Sequence, residues 1–82
     1  MHIKVLLFAM LREKFGKSEI DLELSEGCRA GDVLNHLYKD DRAAADKMKV
    51  ALLFAVNQTY ASSEASIQDG DEVALIPPVA GG

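Results

Sequence analysis

The residues with the most distinctive chemistry are the last six, Pro77-Pro78-Val79-Ala80-Gly81-Gly82. Gly81 and Gly82 have no Cβ, so their backbone threads channels too narrow for other residues and adopts dihedrals closed to them. The carboxylate of Gly82 is sterically open. Activated by a partner enzyme as an acyl phosphate or acyl adenylate, its carbon would take an incoming nucleophile without hindrance, and the chemistry would sit on the main chain. Pro77 and Pro78 fix φ near −65° and carry no N–H, so a strand before them stops and the chain leaves in extended form. Six extended residues reach at most roughly 20 Å, enough to enter a neighbour's active site. A frayed end of small residues is the competing reading. The double proline closing an apolar strand favours a working tail. The expected division is a body over residues 1–76 and an extended, flexible tail over 77–82.

Other groups carry weaker signals. Asp69, Asp71 and Glu72 crowd three carboxylates around Gly70, a pattern that suits a solvated turn better than a metal or acid/base site. Asn57-Gln58 is read as a strand end with side-chain turn hydrogen bonds. Cys28 has no neighbouring His or Lys to lower its pKa and is expected as a small buried residue. His2 and His36 have no ligand-like spacing, so no metal site is expected. Arg12 is a candidate partner contact, with plain solvation the competing reading. Leu75 and Ile76 point to opposite faces of one strand, so one is expected in the core and the other against a partner. Phe8 carries the same ambiguity, with core the safer assignment.

The elements that must position these residues follow from periodicity. Residues 2–8 form a β-rich run with Ile3, Val5 and Leu7 on one face, and Leu6 and Phe8 suggest that the second face is partly covered. Ala9 to Phe15 are helix formers ahead of Gly16, a C-terminal stop. Glu19 to Leu24 alternate strictly, with Ile20, Leu22 and Leu24 inward and three acids outward. After a turn at Ser25-Glu26-Gly27, the spacing of Val33, Leu34, Leu37 and Tyr38 predicts an amphipathic helix from about Ala30 to Lys39. Asp40-Asp41 offers a cap for a second helix over Arg42 to Lys49. Leu52 to Val56 and Glu72 to Ile76 are strands, with a short edge at Thr59-Tyr60-Ala61. The expected fold is α+β, a mixed sheet of four to five strands on one main helix in a β-grasp arrangement, its first and last strands able to lie parallel side by side.

Composition bounds the rest. With 82 residues, 49% hydrophobic and 27% charged, the chain reads as one globular domain. A net charge of −4 and nine scattered basic residues argue against nucleic acid and for a protein partner. One cysteine excludes an internal disulfide, a four-cysteine zinc site and a cysteine-ligated iron–sulfur cluster, and points to a reducing, cytoplasmic setting. No segment approaches the ~20 apolar residues that span a bilayer, and the N-terminal apolar run is too short for a signal peptide, so no membrane partner is expected.

Four blocks, in order, carry a family resemblance: Ile3-Lys4-Val5-Leu6-Leu7-Phe8-Ala9 with Leu11-Arg12-Glu13, then Val56-Asn57-Gln58-Thr59, then Asp69-Gly70-Asp71-Glu72-Val73-Ala74, and the closing Pro77 to Gly82. Together they resemble the small subunit of molybdopterin synthase, a ubiquitin-like sulfur carrier. The resemblance implies that an activating enzyme uses ATP to adenylate Gly82 and that sulfur from a donor then converts it to a thiocarboxylate. The tail, Pro77, Pro78, Val79, Ala80 and Gly81, would thread into the large synthase subunit, where sulfur passes to a cyclic pyranopterin monophosphate precursor. It further implies a heterotetramer, no permanently bound cofactor or catalytic metal, and catalytic residues supplied by the large subunit. Two departures stand out. The threonine cap usual at the start of the family's main helix is replaced by Ala30-Gly31, and residues 41–50 match only in general character. A carrier for thiamin or transfer RNA thiolation, a ubiquitin-like modifier conjugated through Gly82, and a plain binding module with an idle tail are the alternatives.

Overall fold

The computed structural model describes residues 1–78, and the predicted tail positions Val79, Ala80, Gly81 and Gly82 lie outside the described residues. The elements run β1 (His2–Leu7), α1 (Ala9–Phe15), β2 (Glu19–Glu23), α2 (Asp32–Leu37), α3 (Arg42–Ala51), β3 (Leu53–Val56), β4 (Thr59–Ala61) and β5 (Glu72–Ile76). The strands form one mixed sheet in the order β2-β1-β5-β3-β4. β1 and β5 lie parallel at its centre, with Val5 beside Val73 and Leu7 beside Leu75. β2 pairs antiparallel with β1, and β3 pairs antiparallel with both β5 and β4.

The alternation of side chains sorts the sheet into two faces. Ile3, Val5 and Leu7 of β1, Phe54 of β3, and Val73 and Leu75 of β5 all turn to one side and are buried with Leu11, Val33, Leu34 and Ala45 of the helices. The other face carries Lys4, Leu6, Ala55, Tyr60, Ala74 and Ile76, and among the described residues no helix packs on it. Of the two candidate partner contacts on β5, Leu75 is fully buried in the core and is corrected to a packing residue, because the strand register puts it between Leu7 and Phe54, and Ile76 is the outward one.

The first helix stops where glycine allows a left-handed residue. Gly16 has φ 71° and its N–H donates to the Arg12 carbonyl at 2.8 Å. The second helix is shorter than the predicted span from Ala30 to Lys39 at both ends, and its start abuts the loop before β5. Ala30 N–H donates to the Ala65 carbonyl and Gly31 N–H to the Ser63 carbonyl, at 2.9 and 2.7 Å, so residues 29–31 are held against that loop. The first turn has no side-chain cap from Gly31, although an Asp32 carboxylate oxygen accepts from Arg29 N–H at 2.7 Å. Asp41 caps α3 through Ala44 N–H at 3.0 Å, as the sequence suggested, and that helix continues to Ala51.

Candidate functional site

The strand that leads to the tail is the middle one of the five. β5 is flanked on both sides, by β1 and by β3, and ends at Ile76. Pro77 is half-buried and Pro78 exposed, so the chain leaves the body directly from the centre of the sheet.

Beside this exit the uncovered sheet face sinks into a hollow of about 270 Å³, lined by Leu6, Phe8, Ala55, Gln58, Tyr60, Glu72, Ala74 and Ile76. Its concavity has a simple origin. The pairing sets Ala55 opposite Ala74 and Leu6 beside Ala74, so two methyl groups form the floor while longer side chains form the rim. Ile76 stands opposite Leu53, which is 48% exposed. Phe8 continues the extended backbone of β1 with φ −126° and ψ 155° and is 42% exposed, so it lies at the rim and not in the core as first expected. Tyr60, on the edge strand opposite Ala55, is 74% exposed. A lone exposed apolar residue is ordinary, but a hollow rimmed by several of them marks an interaction surface.

The far rim is set by a tight turn. Asn57 and Gln58 both have positive φ, 50° and 71°, in the two-residue connection between β3 and β4, a conformation natural to Asn and uncommon for Gln. Asn57 is locked there: its amide donates to an Asp71 carboxylate oxygen at 3.0 Å, and its carbonyl oxygen accepts from Glu72 N–H at 3.0 Å. The side-chain hydrogen bonds expected within the turn are thus made instead by Asn57 across to the residues at the start of β5. The carboxylates around Gly70 serve structure as well. Asp71 also accepts from Gln68 N–H, and Asp69 accepts from His2 N–H at 2.6 Å. Among the described residues no three His, Cys, Asp or Glu side chains converge as a metal site.

Of the predicted site residues, Phe8, Ile76, Pro77 and Pro78 come together at the exit, and Leu75 lies beneath them in the core. Arg12 is exposed on α1 and forms no ion pair among the described residues. Tyr60 and the Ala55–Ala74 floor went unnoticed in the sequence reading. Strict alternation about the buried Phe54 and Val73 was the signal that would have placed the two alanines outward, whereas Tyr60 is placed by the pairing of β4 with β3. Among the described residues no helix is long and apolar enough to cross a membrane.

A family model described as the ThiS family matches residues 5–82. The molybdopterin synthase sulfur carrier subunit of Chlamydomonas reinhardtii is 42% identical over 84 residues, covering 100% of both chains. Small archaeal modifier protein 1 of Haloferax volcanii has a similar structure, with a TM-score of 0.79 at 26% identity, covering 95% of this chain and 98% of that one. The ubiquitin-like β-grasp fold also appears in a protein–protein complex of subunits 1 and 2 of the molybdopterin-converting factor from Helicobacter pylori, at TM-score 0.61 and 18% identity, with full coverage of both chains.

Proposed function

Because the chain belongs to the ThiS family and is related over its full length to molybdopterin synthase sulfur carrier subunits, we propose that it carries sulfur on Gly82 for molybdenum cofactor biosynthesis. The observation that supports this most directly is the position of β5. A central strand, paired on both sides, delivers Pro77 and Pro78 to the surface beside an apolar hollow, so the body can be gripped while the tail is presented.

In the first step of the proposed cycle a carboxylate oxygen of Gly82 attacks the α-phosphorus of ATP on an activating enzyme, and pyrophosphate leaves. A sulfide equivalent from a donor then attacks the acyl carbon of the adenylate, AMP leaves, and a thiocarboxylate remains. Its sulfur is ionised at neutral pH and is a softer, stronger nucleophile than carboxylate oxygen. In the second stage the tail, Val79 to Gly82, enters the active site of a large synthase subunit, whose side chains supply the catalysis. The sulfur attacks a carbon of a cyclic pyranopterin monophosphate to give a thioester, and water then cleaves the acyl–sulfur bond, leaving the sulfur on the acceptor and returning the Gly82 carboxylate. The apolar hollow with Phe8, Tyr60 and Ile76 is the surface on which that subunit docks, in a heterotetramer with two carriers.

The test is an intact-protein mass after incubation with ATP, the cognate activating enzyme and sulfide, beside a variant lacking Gly82. A gain equal to exchanging one oxygen for one sulfur, absent from the variant, is the expected result. No gain, with the enzyme competent on a known carrier, refutes the reading, and high-mass conjugates in extracts would identify a protein modifier instead. Rescue of a molybdoenzyme-deficient strain, with no rescue of a thiamin auxotroph, fixes the acceptor.

A further inference from the structure

The turn between β3 and β4 holds two residues in the left-handed region, and hydrogen bonding within the fold accounts for only one of them. A two-residue hairpin connection with positive φ at both positions favours Asn followed by Gly. Asn57, at φ 50°, fills the first position and uses its N–H and both ends of its side-chain amide. The N–H donates to the Glu72 carbonyl at 2.8 Å, the amide donates to an Asp71 carboxylate oxygen, and the amide oxygen accepts from Glu72 N–H. Gln58, at φ 71°, stands where glycine is favoured. A residue with a Cβ is strained in that conformation. No hydrogen bond of its side chain offsets the strain: among the described residues the Gln58 carboxamide has no partner, and the residue is exposed.

What the side chain does have is a place at the sheet hollow. Gln58 lines it, and the other lining side chains are apolar except for Glu72 and the Tyr60 hydroxyl. An ionised Glu72 can only accept hydrogen bonds. The Gln58 carboxamide carries a donor and an acceptor side by side, the complement of a peptide group. The three hydrogen bonds of Asn57 tie the turn to the start of β5, so the Gln58 backbone is set at the rim before any partner arrives. A polar group fixed at the edge of an apolar floor orients what docks there.

We infer that Gln58 is a specificity-determining residue of the docking face: its carboxamide pairs with a main-chain peptide group of the large synthase subunit, whose neighbouring apolar side chain covers the floor made by Ala55 and Ala74. The inference rests on the carrier reading above and on the hollow as its docking face. Asn57 is the positioning residue behind the contact. A segment that brings a carboxylate to the same place leaves the Gln58 oxygen unpaired, so the contact selects the partner as well as adding affinity.

Titration calorimetry of the full chain with the large subunit, beside a thermal melt of each free variant, tests this. Gln58→Ala keeps the strained backbone and removes the amide, whereas Gln58→Gly removes both. Gln58→Gly is expected to melt above Gln58→Ala, yet both are expected to weaken binding by the same factor, about fivefold, the size of one net hydrogen bond. Gln58→Glu is nearly isosteric but lacks the donor, and is expected to bind at least as weakly. In the parent chain the side-chain NH2 resonances of Gln58 should shift on complex formation. A purely structural role predicts instead that Kd follows Tm, with Gln58→Gly binding like the parent and the NH2 resonances in place, and that result overturns the inference. Phe8→Asp is the reference for the hollow. If it weakens binding while all three Gln58 variants bind like the parent, the role of Gln58 is overturned and the carrier reading stands. If Phe8→Asp leaves binding unchanged, the hollow is not the docking face and the inference falls with it, while the mass assay still judges the carrier reading. If the parent chain does not bind the large subunit, the inference and the synthase reading fall together.

Discussion

Tyr60→Thr separates docking from folding more cleanly than any other change at the sheet hollow. Tyr60 lies on the short edge strand β4, pairs with Ala55 and is 74% exposed. An aromatic side chain of roughly 200 Å² therefore leaves about 150 Å² available to a partner. If half of that area is covered on docking, at about 25 cal/mol per Å² the contact is worth about 2 kcal/mol, or roughly thirtyfold in Kd. The fold loses far less, because only a quarter of the side chain is buried and threonine keeps the β propensity of the strand. A loss under about 1 kcal/mol corresponds to a fall of only some 4–8 °C in Tm for a domain of this size. Calorimetric titration with the large subunit and a thermal melt of the free chain measure the two quantities. An unchanged Kd in a complex that still forms would refute the assignment of the hollow as the docking face, and a large fall in Tm would show that Tyr60 is structural.

Three further outcomes test the fold around the site. Gly31→Ala would place a Cβ 3.0 Å from the Ser63 carbonyl oxygen and 3.1 Å from its Cβ, and part of that clash is with backbone. Denaturant unfolding is expected to show a loss of about 1–2 kcal/mol, net of the better helix propensity of alanine. Leu75→Ala removes a fully buried side chain from between Leu7 and Phe54, and should cost about 2–5 kcal/mol by the same measurement. His2 has its pKa raised above 6.5 by the Glu23 carboxylate 3.1 Å from Nδ1, assisted by Asp21 3.4 Å from Nε2 and opposed by partial desolvation. A raised folded-state pKa means that the pairing stabilises below the unfolded value and is lost as pH rises through the folded one. An NMR titration should find the shifted midpoint, and His2→Gln should remove that component of the pH dependence above pH 6.5.

Much of this was legible from residue pattern because the relevant periods are short and local. The alternation of Ile3, Val5 and Leu7, the glycine stop at Gly16 and the Asp41 cap each act within a few residues, and each appears where its chemistry placed it. The parallel pairing of β1 with β5 was only permitted by the element order, since adjacency depends on contacts some seventy residues apart along the chain. The contacts at the start of α2 were invisible for a related reason: the groups that hold residues 29–31 come from Ser63, Ala65 and Ser66. At the site, Leu75 takes the core place and Ile76 the outward one of that pair, while Phe8 is outward where core was the safer assignment. All three are large and apolar, and only the register decides that Leu75 turns toward the helices while Phe8 stands on the uncovered face. The hollow itself depends on two alanines meeting across β3 and β5, which no local pattern encodes.

The central, parallel placement of β1 and β5 has a mechanical consequence. Tension applied through Pro78 runs along β5, whose hydrogen bonds to β1 and β3 lie across the direction of pull. Those bonds are loaded together in shear and cannot be opened one at a time as in a zipper. Under the proposed cycle, a partner drawing on the tail would work against a strand paired on both edges. The load then passes from β5 to both of its neighbours at once.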